Sequence, residues 1–268
     1  MINKKTLFCL FIGICFSHSS MAQYVYGTTG LLHMPTADMQ KDKTFLFGAS
    51  YLDVNATPKH WSYNTYNYYI NITFLPWLEV GYACTLHKLG LPKYGYSYKF
   101  RNQDRQFAVR LRVWKEGWWK FWTPQIVIGA NDPGTNDVVG DPNKDDYGYT
   151  STSSVGNGHW NRYYLAMTKH IVFANVGELG THIAYVYNKR IDYHLNGPAI
   201  GVNFKFNFSE TSFLNKVLNG LNLMAEYDSR TINCGFEYGF WKDYINAVVE
   251  MTDCKYLSGG IVFKVHLK

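Results

Sequence analysis

Residues 66–85, YNYYINITFLPWLEVGYACT, alternate with a period of two on either side of a proline. Tyr66, Tyr68, Ile70, Ile72 and Phe74 share one face, and Asn67, Asn71 and Thr73 share the other. Side chains of a strand point alternately to its two faces, so this pattern is a strand with one apolar and one polar side. Leu75-Pro76-Trp77 interrupts it, because proline donates no ladder hydrogen bond and pre-sets a turn. Val80, Tyr82 and Cys84 then alternate with Glu79, Gly81, Ala83 and Thr85. Each arm runs for about nine residues, the length at which a tilted strand crosses a bilayer. A soluble sandwich can hold one such hairpin, so repetition decides the class.

The pattern repeats along the chain. Phe45, Phe47, Ala49 and Tyr51 precede the hairpin. After it, Tyr94, Tyr96, Tyr98 and Phe100 alternate with Gly95, Ser97, Lys99 and Arg101. The polar run 102–105 reads as a turn into a further strand, in which Phe107, Val109, Leu111 and Val113 alternate with Ala108, Arg110, Arg112 and Trp114. More strands are predicted over 124–131, 162–169, 180–187, 199–206, 221–228, 232–238, 244–251 and 259–267. Segment 23–43 has no clear period, and 209–220 reads as a short helix or ordered loop. Residues 132–161, rich in Gly, Asp, Ser and Asn, read as a long loop. Asp141-Pro-Asn143-Lys-Asp145 lacks the glycine and the terminal acid of a calcium loop, so solvation explains its acids. Counted this way the strands are odd in number, and the long loop shares a rim with the tight turns.

Composition sets the environment. The first 22 of the 268 residues read as an export leader: Lys4 and Lys5, an apolar stretch over 7–16, then Ser20 and Ala22, with cleavage near Ala22/Gln23. No run of about 18 apolar residues exists to form a spanning helix. Aromatic residues make up 18% of the chain, yet mean hydropathy is only −0.23. A barrel gives this mixture, because lipid-facing apolar residues alternate with polar residues of the lumen. Losing Lys4 and Lys5 lowers the net charge of +6 by two, too little to suggest a nucleic-acid partner. Cys84, Cys234 and Cys254 remain after the leader, an odd set that argues against a disulfide framework. The expectation is all-β: a single closed transmembrane antiparallel barrel over 23–268, of about 12–14 strands, in the outer membrane of a Gram-negative-type bacterium.

If the apolar faces meet lipid, the opposite faces line the lumen. Lys99, Arg101, Arg110 and Arg112 then form a basic strip, and Glu226, Glu237 and Glu250 an acidic strip on the opposite wall. Facing strips would set a field across a pore; alternatively the charges pair and plug a narrow barrel. Residues 114–122, WKEGWWKFW, resemble an interfacial aromatic girdle, or else a partner-binding or sugar-stacking patch. The expectation is that the protein is not an enzyme and holds no metal or cofactor. His159 lacks the nearby serine of an outer-membrane phospholipase arrangement, and His182 and His266 fall singly on strand faces. No nucleophile elbow or Cys/His metal spacing occurs.

Three short motifs carry a family resemblance: Gly30-Leu-Leu-His-Met-Pro-Thr-Ala37, Pro124-Gln-Ile-Val-Ile-Gly-Ala-Asn-Asp132 and Ala225-Glu-Tyr-Asp228. In this order the chain resembles the YjbH-type outer-membrane proteins associated with exopolysaccharide production. That resemblance implies an outer-membrane barrel acting in exopolysaccharide or capsule secretion or assembly, as conduit or scaffold. Its implied partners are outer-membrane lipid, the polysaccharide and polysaccharide-export lipoproteins. The competing readings are an exported soluble or surface glycan-binding β-protein and an outer-membrane lipid hydrolase.

Overall fold

The structure is a computed structural model that describes residues 25–57, 63–91, 96–133, 160–188, 196–241 and 243–267. The leader 1–22 and the bulk of the long loop, 134–159, lie outside the described residues.

Among the described residues twelve antiparallel strands close on themselves. They are β1 (Thr44–Leu52), β2 (Thr65–Leu75), β3 (Leu78–Leu91), β4 (Tyr96–Trp114), β5 (Gln125–Asn131) and β6 (Arg162–Phe173) in the first half. The second half supplies β7 (Gly177–Tyr187), β8 (Gly197–Phe206), β9 (Leu221–Tyr227), β10 (Ile232–Phe240), β11 (Ile245–Thr252) and β12 (Tyr256–His266). Each strand pairs with its neighbours in sequence, and β1 pairs with both β2 and β12, so every strand has a partner on both sides. Closure satisfies every ladder internally, which a hydrocarbon surrounding demands.

The turn expected over 102–105 does not form. Strand β4 runs unbroken for 19 residues, which makes the strand number even. Asp104 and Gln106 are buried, while Gln103 and Arg105 point outward. Alternation persists there, but both faces are polar, so hydropathy alone hides it. Strand β3 extends alongside, pairing Ala83 with Gln106 and Thr85 with Asp104. One strand fewer also moves the long loop. Connections 76–77, 115–124, 174–176, 207–220 and 241–244 sit on one rim with the start of β1 and the end of β12. The ends of the loop 132–161, beside Asn131 and Arg162, lie on the opposite rim, away from the tight turns 76–77 and 174–176 and alongside the short turns 228–231 and 253–255.

The outer face is apolar around the wall, from Phe47 on β1 through Ile70, Phe107, Leu165, Ile183, Ile200 and Phe236 to Val265 on β12. That distribution suits lipid rather than a single ligand patch. No helix of the described residues is long and apolar enough to span a membrane. Among the described residues the α-helix, α1 (Phe213–Asn219), starts at Ser212, whose hydroxyl accepts the Asn215 N–H at 3.2 Å.

The core is a strand of irregular chain rather than a layer of wall side chains. Residues 25–40 thread the lumen, and all of them are buried. Val25, Tyr26, Leu31, Leu32, Met34, Ala37 and Met39 form one apolar cluster with small wall residues such as Ala83, Ala166, Ala184 and Ala199. Small side chains on the inner wall leave the room that this segment fills. At Gly201 an added Cβ would collide with Leu31 and Met34. At Gly27 the backbone adopts φ +66°, and a Cβ would meet Tyr69.

Candidate functional site: a plugged lumen

A segment without regular secondary structure leaves its backbone groups to be satisfied by the wall. The polar inner face supplies the partners. Glu79 on β3 accepts from the Thr29 N–H and the Thr29 hydroxyl, each at 2.8 Å. It also accepts from the Asn71 amide at 2.8 Å and pairs with Arg110 on β4 at 2.8 Å. Arg110 spends its second nitrogen on the plug, donating to the carbonyls of Thr36 at 2.6 Å and Asp38 at 2.9 Å. Both partners of this ion pair are fully buried. Such burial is tolerable because both Glu79 oxygens and both terminal nitrogens of Arg110 find partners on the plug or the neighbouring wall.

Glu226 on β9 holds the tip of a turn. Leu31 donates to the Met34 carbonyl, closing the turn at 3.2 Å. The successive N–H groups of Leu32, His33 and Met34 then converge on the Glu226 carboxylate at 3.0, 2.7 and 3.2 Å. Three converging N–H groups form an anion-binding concavity, and the wall supplies its anion. The His33 ring lies between two more acids, 3.1 Å from Asp228 and 2.7 Å from Glu250. Arg162 donates to the His33 carbonyl at 2.8 Å and stacks over the Tyr26 ring at 3.3 Å. Asp228 stands beyond the end of β9. Burial pushes its pKa up, but the His33 ring and the Thr231 N–H outweigh burial and hold its carboxyl at about 2. Atoms of His33, Glu226 and Asp228 lie within 4.8 Å of one another, a spacing suited to a cation. Here the Glu226 oxygens are aimed at N–H groups of the plug instead, so the cluster acts as a tether.

A third set fastens the far end. Thr168 accepts the Ala37 N–H at 2.8 Å, and Gln125 donates to the Ala37 carbonyl at 2.5 Å. The Thr168 hydroxyl meets Nδ1 of His182 at 2.9 Å, and Nε2 of His182 meets Asn203 at 2.8 Å. Hydroxyl, imidazole and amide in a row are the residue types of a Ser-His-Asn hydrolase. In this barrel they face the lumen and support Ala37. Sequence reasoning treated His182 as isolated; the three residues lie on β6, β7 and β8, and only the closed register brings them together.

The charged residues singled out in sequence are thus dispersed. Arg110 and Glu226 both grip the plug from different walls. Glu250 contacts His33 and accepts the Thr252 hydroxyl at 2.8 Å. Glu237 pairs with Lys264 on β12 at 3.3 Å. Arg112 is half-buried and donates to Gln125 at 3.2 Å. Lys99 and Arg101 belong to the backbone of β4, but their side chains lie outside the described residues. Arg110 and Glu226 therefore do not face one another across open space, because residues 25–40 stand between them. The partners that matter most, Glu79, Arg162 and His33, were not singled out by parity.

The aromatic run after β4 sits on the tight-turn rim. Trp118, Trp119, Phe121 and Trp122 are exposed there, with Lys120 4.5 Å from the Trp119 ring centroid. Trp77, Phe213 and Trp241 continue the exposed ring on neighbouring turns. Glu116 anchors this loop to β6, 2.7 Å from both Lys169 and His170.

The family described as "YjbH: Exopolysaccharide biosynthesis protein YbjH" matches residues 22–138. An "Uncharacterized lipoprotein YjbH" of Escherichia coli K12 is 28% identical over 116 residues, 42% of this chain but only 15% of that protein's length. Among solved structures, outer membrane phospholipase A from Escherichia coli aligns with a TM-score of 0.38 and 11% identity over 85% of this chain and 93% of its own. The calcium-bound dimer of the Salmonella typhi phospholipase gives 0.35 and 11% over 85% of this chain and 91% of its own. The family resemblance of this chain is to YjbH, over the stretch 22–138 that holds the lumen plug and strands β1 to β5.

Proposed function

We propose that this chain is an outer-membrane barrel that serves exopolysaccharide secretion or assembly as a scaffold, with its lumen closed by residues 25–40. The observation that carries the scaffold reading over an open conduit is the burial of that whole segment and its hydrogen bonding to Glu79, Arg110, Glu226 and Thr168. The segment occupies space that a polymer crossing the barrel would need. The apolar outer face supports placement in a bilayer, and the YjbH family match supports the link to exopolysaccharide. In such barrels tight turns face the periplasm and long loops the exterior. With the longest connection, 132–161, taken as exterior, the aromatic rim opposite it is periplasmic, where export lipoproteins are available as partners. The protein acts without catalysis in this reading, and the Thr168–His182–Asn203 chain holds the plug.

Deleting the gene in its host and weighing the exopolysaccharide at the cell surface tests the role; the reading expects a loss restored by the intact protein. A deletion with unchanged polysaccharide would contradict it. A plug locked by Ala37→Cys and Thr168→Cys, two residues already in contact, with Cys84, Cys234 and Cys254 changed to serine, separates scaffold from conduit. A scaffold still supports secretion with the lock closed.

A further inference from the structure

Between the plug and the tight-turn rim the lumen widens into a cavity of about 520 Å³, inside the range of roughly 300–1,000 Å³ over which small-molecule sites occur. One register row of the wall crosses it: Lys205 pairs with Asn222, and Asn222 with Glu237. In the next row Gly239 faces Asn246, and the missing side chain leaves floor space beside that amide. Lys216 of α1 and the exposed Trp241 complete the mouth.

The lining is charged but balanced. Lys264, on the inner face of β12, engages Glu237 at 3.3 Å and Asp243 at 2.8 Å. Among the described residues Lys205, Lys216 and Glu210 make no ion pair, so they remain available to a ligand. Among the described residues three lysines, Lys205 and Lys216 of the lining and Lys264 beside it, thus meet three carboxylates, Glu210, Glu237 and Asp243. A phosphate or a polyuronate calls for an excess of cations, and an acyl chain for an apolar lining. What a balanced set of amides, ammonium groups and carboxylates offers is paired donors and acceptors, matched to neighbouring hydroxyls. The indole of Trp241 adds a flat apolar surface at the edge. Hydroxyls around a ring with one apolar face describe an uncharged pyranose.

We propose that this vestibule binds a short run of neutral hexose units, holding a segment of polysaccharide at the tight-turn rim. The assignment rests on the exopolysaccharide reading for its biological sense, and on the cavity alone for its chemistry.

The test is calorimetric titration of the purified full chain, in a detergent without a sugar headgroup. The probes are cellohexaose, maltohexaose and isomaltohexaose, with hexagalacturonate as the charged comparison. At least one neutral hexasaccharide is expected to bind at one site and more tightly than the uronate. Trp241→Ala and Asn222→Ala are each expected to weaken that binding by about tenfold while keeping the heat-dependent gel mobility of a folded barrel. No binding by any neutral probe, tighter binding of the uronate, or unchanged affinity in both variants would overturn the proposal. The in-cell deletion decides the exopolysaccharide role separately. If deletion abolishes surface polysaccharide but the titrations are blank, the pocket assignment alone fails.

Discussion

The Glu226 carboxylate accepts the backbone N–H of His33 at 2.7 Å, joining residues 193 positions apart in the chain. The same carboxylate takes the N–H groups of Leu32 and Met34, so one wall residue fixes the tip of the plug. Hydrogen bonds to a buried charge contribute about 1.5–3 kcal/mol each, and an orphaned buried donor costs a similar amount. Glu226→Ala is therefore expected to lower the temperature at which the protein loses its folded gel mobility. It should also expose the plug to protease; a plug as resistant as wild type would contradict the tether.

Arg110 and Glu79 offer a sharper contrast. Removing one partner of a buried pair strands the other charge, at a cost of about 3–5 kcal/mol, whereas removing both is far milder. Arg110→Met should therefore destabilise the barrel more than Arg110→Met combined with Glu79→Met. Urea unfolding followed by tryptophan fluorescence in lipid vesicles measures the difference. The reverse order would mean that Arg110 acts chiefly through the Thr36 and Asp38 carbonyls.

Depth on the outer face predicts a gradient. Arginine on the lipid face of a barrel costs about 2–4 kcal/mol near the bilayer midplane and about 0–1 near the interface. Ile200, on β8, is 57% exposed, and Phe213, on the rim helix, 83%. Ile200→Arg is expected to destabilise strongly and Phe213→Arg hardly at all, in the same unfolding assay. Equal effects would place the bilayer elsewhere.

The loop 115–124 should respond to acid. Burial pushes Glu116 up, but the hydrogen bonds from His170 and Lys169 outweigh it and hold its carboxyl at about 2, below its ordinary value of 4.5. A carboxylate depressed in the folded state contributes its full anchoring above the ordinary value. That anchoring is lost as pH falls from there through about 2. Fluorescence of the loop tryptophans should report loosening in this window, and Glu116→Gln should remove the pH dependence. A transition near neutrality, or one that survives Glu116→Gln, would point to another group.

Much of the wall was legible because lipid and lumen impose opposite polarity on successive residues. Ile200, Val202 and Phe204 against Gly201 and Asn203 leave little choice of face. The failure at 102–105 has the same origin: Gln103, Asp104, Arg105 and Gln106 are polar on both faces, so the period vanishes from hydropathy while the ladder continues. The plug was illegible for a different reason. Gly30 to Ala37 has no period, and its partners Glu79, Arg110, Thr168 and Glu226 are scattered over four strands. Only closure of the barrel brings them to one place. Arg110 and Glu226 read in isolation suggested opposed charged walls, because nothing local announces that a chain passes between them.

Single-channel recording of the purified protein in planar bilayers tests the plugged barrel most directly. With residues 25–40 tied to the wall, the wild type is expected to insert yet pass almost no current, and Glu226→Ala to show intermittent openings. A steady, porin-sized ohmic conductance from the wild type would contradict a lumen filled by this segment.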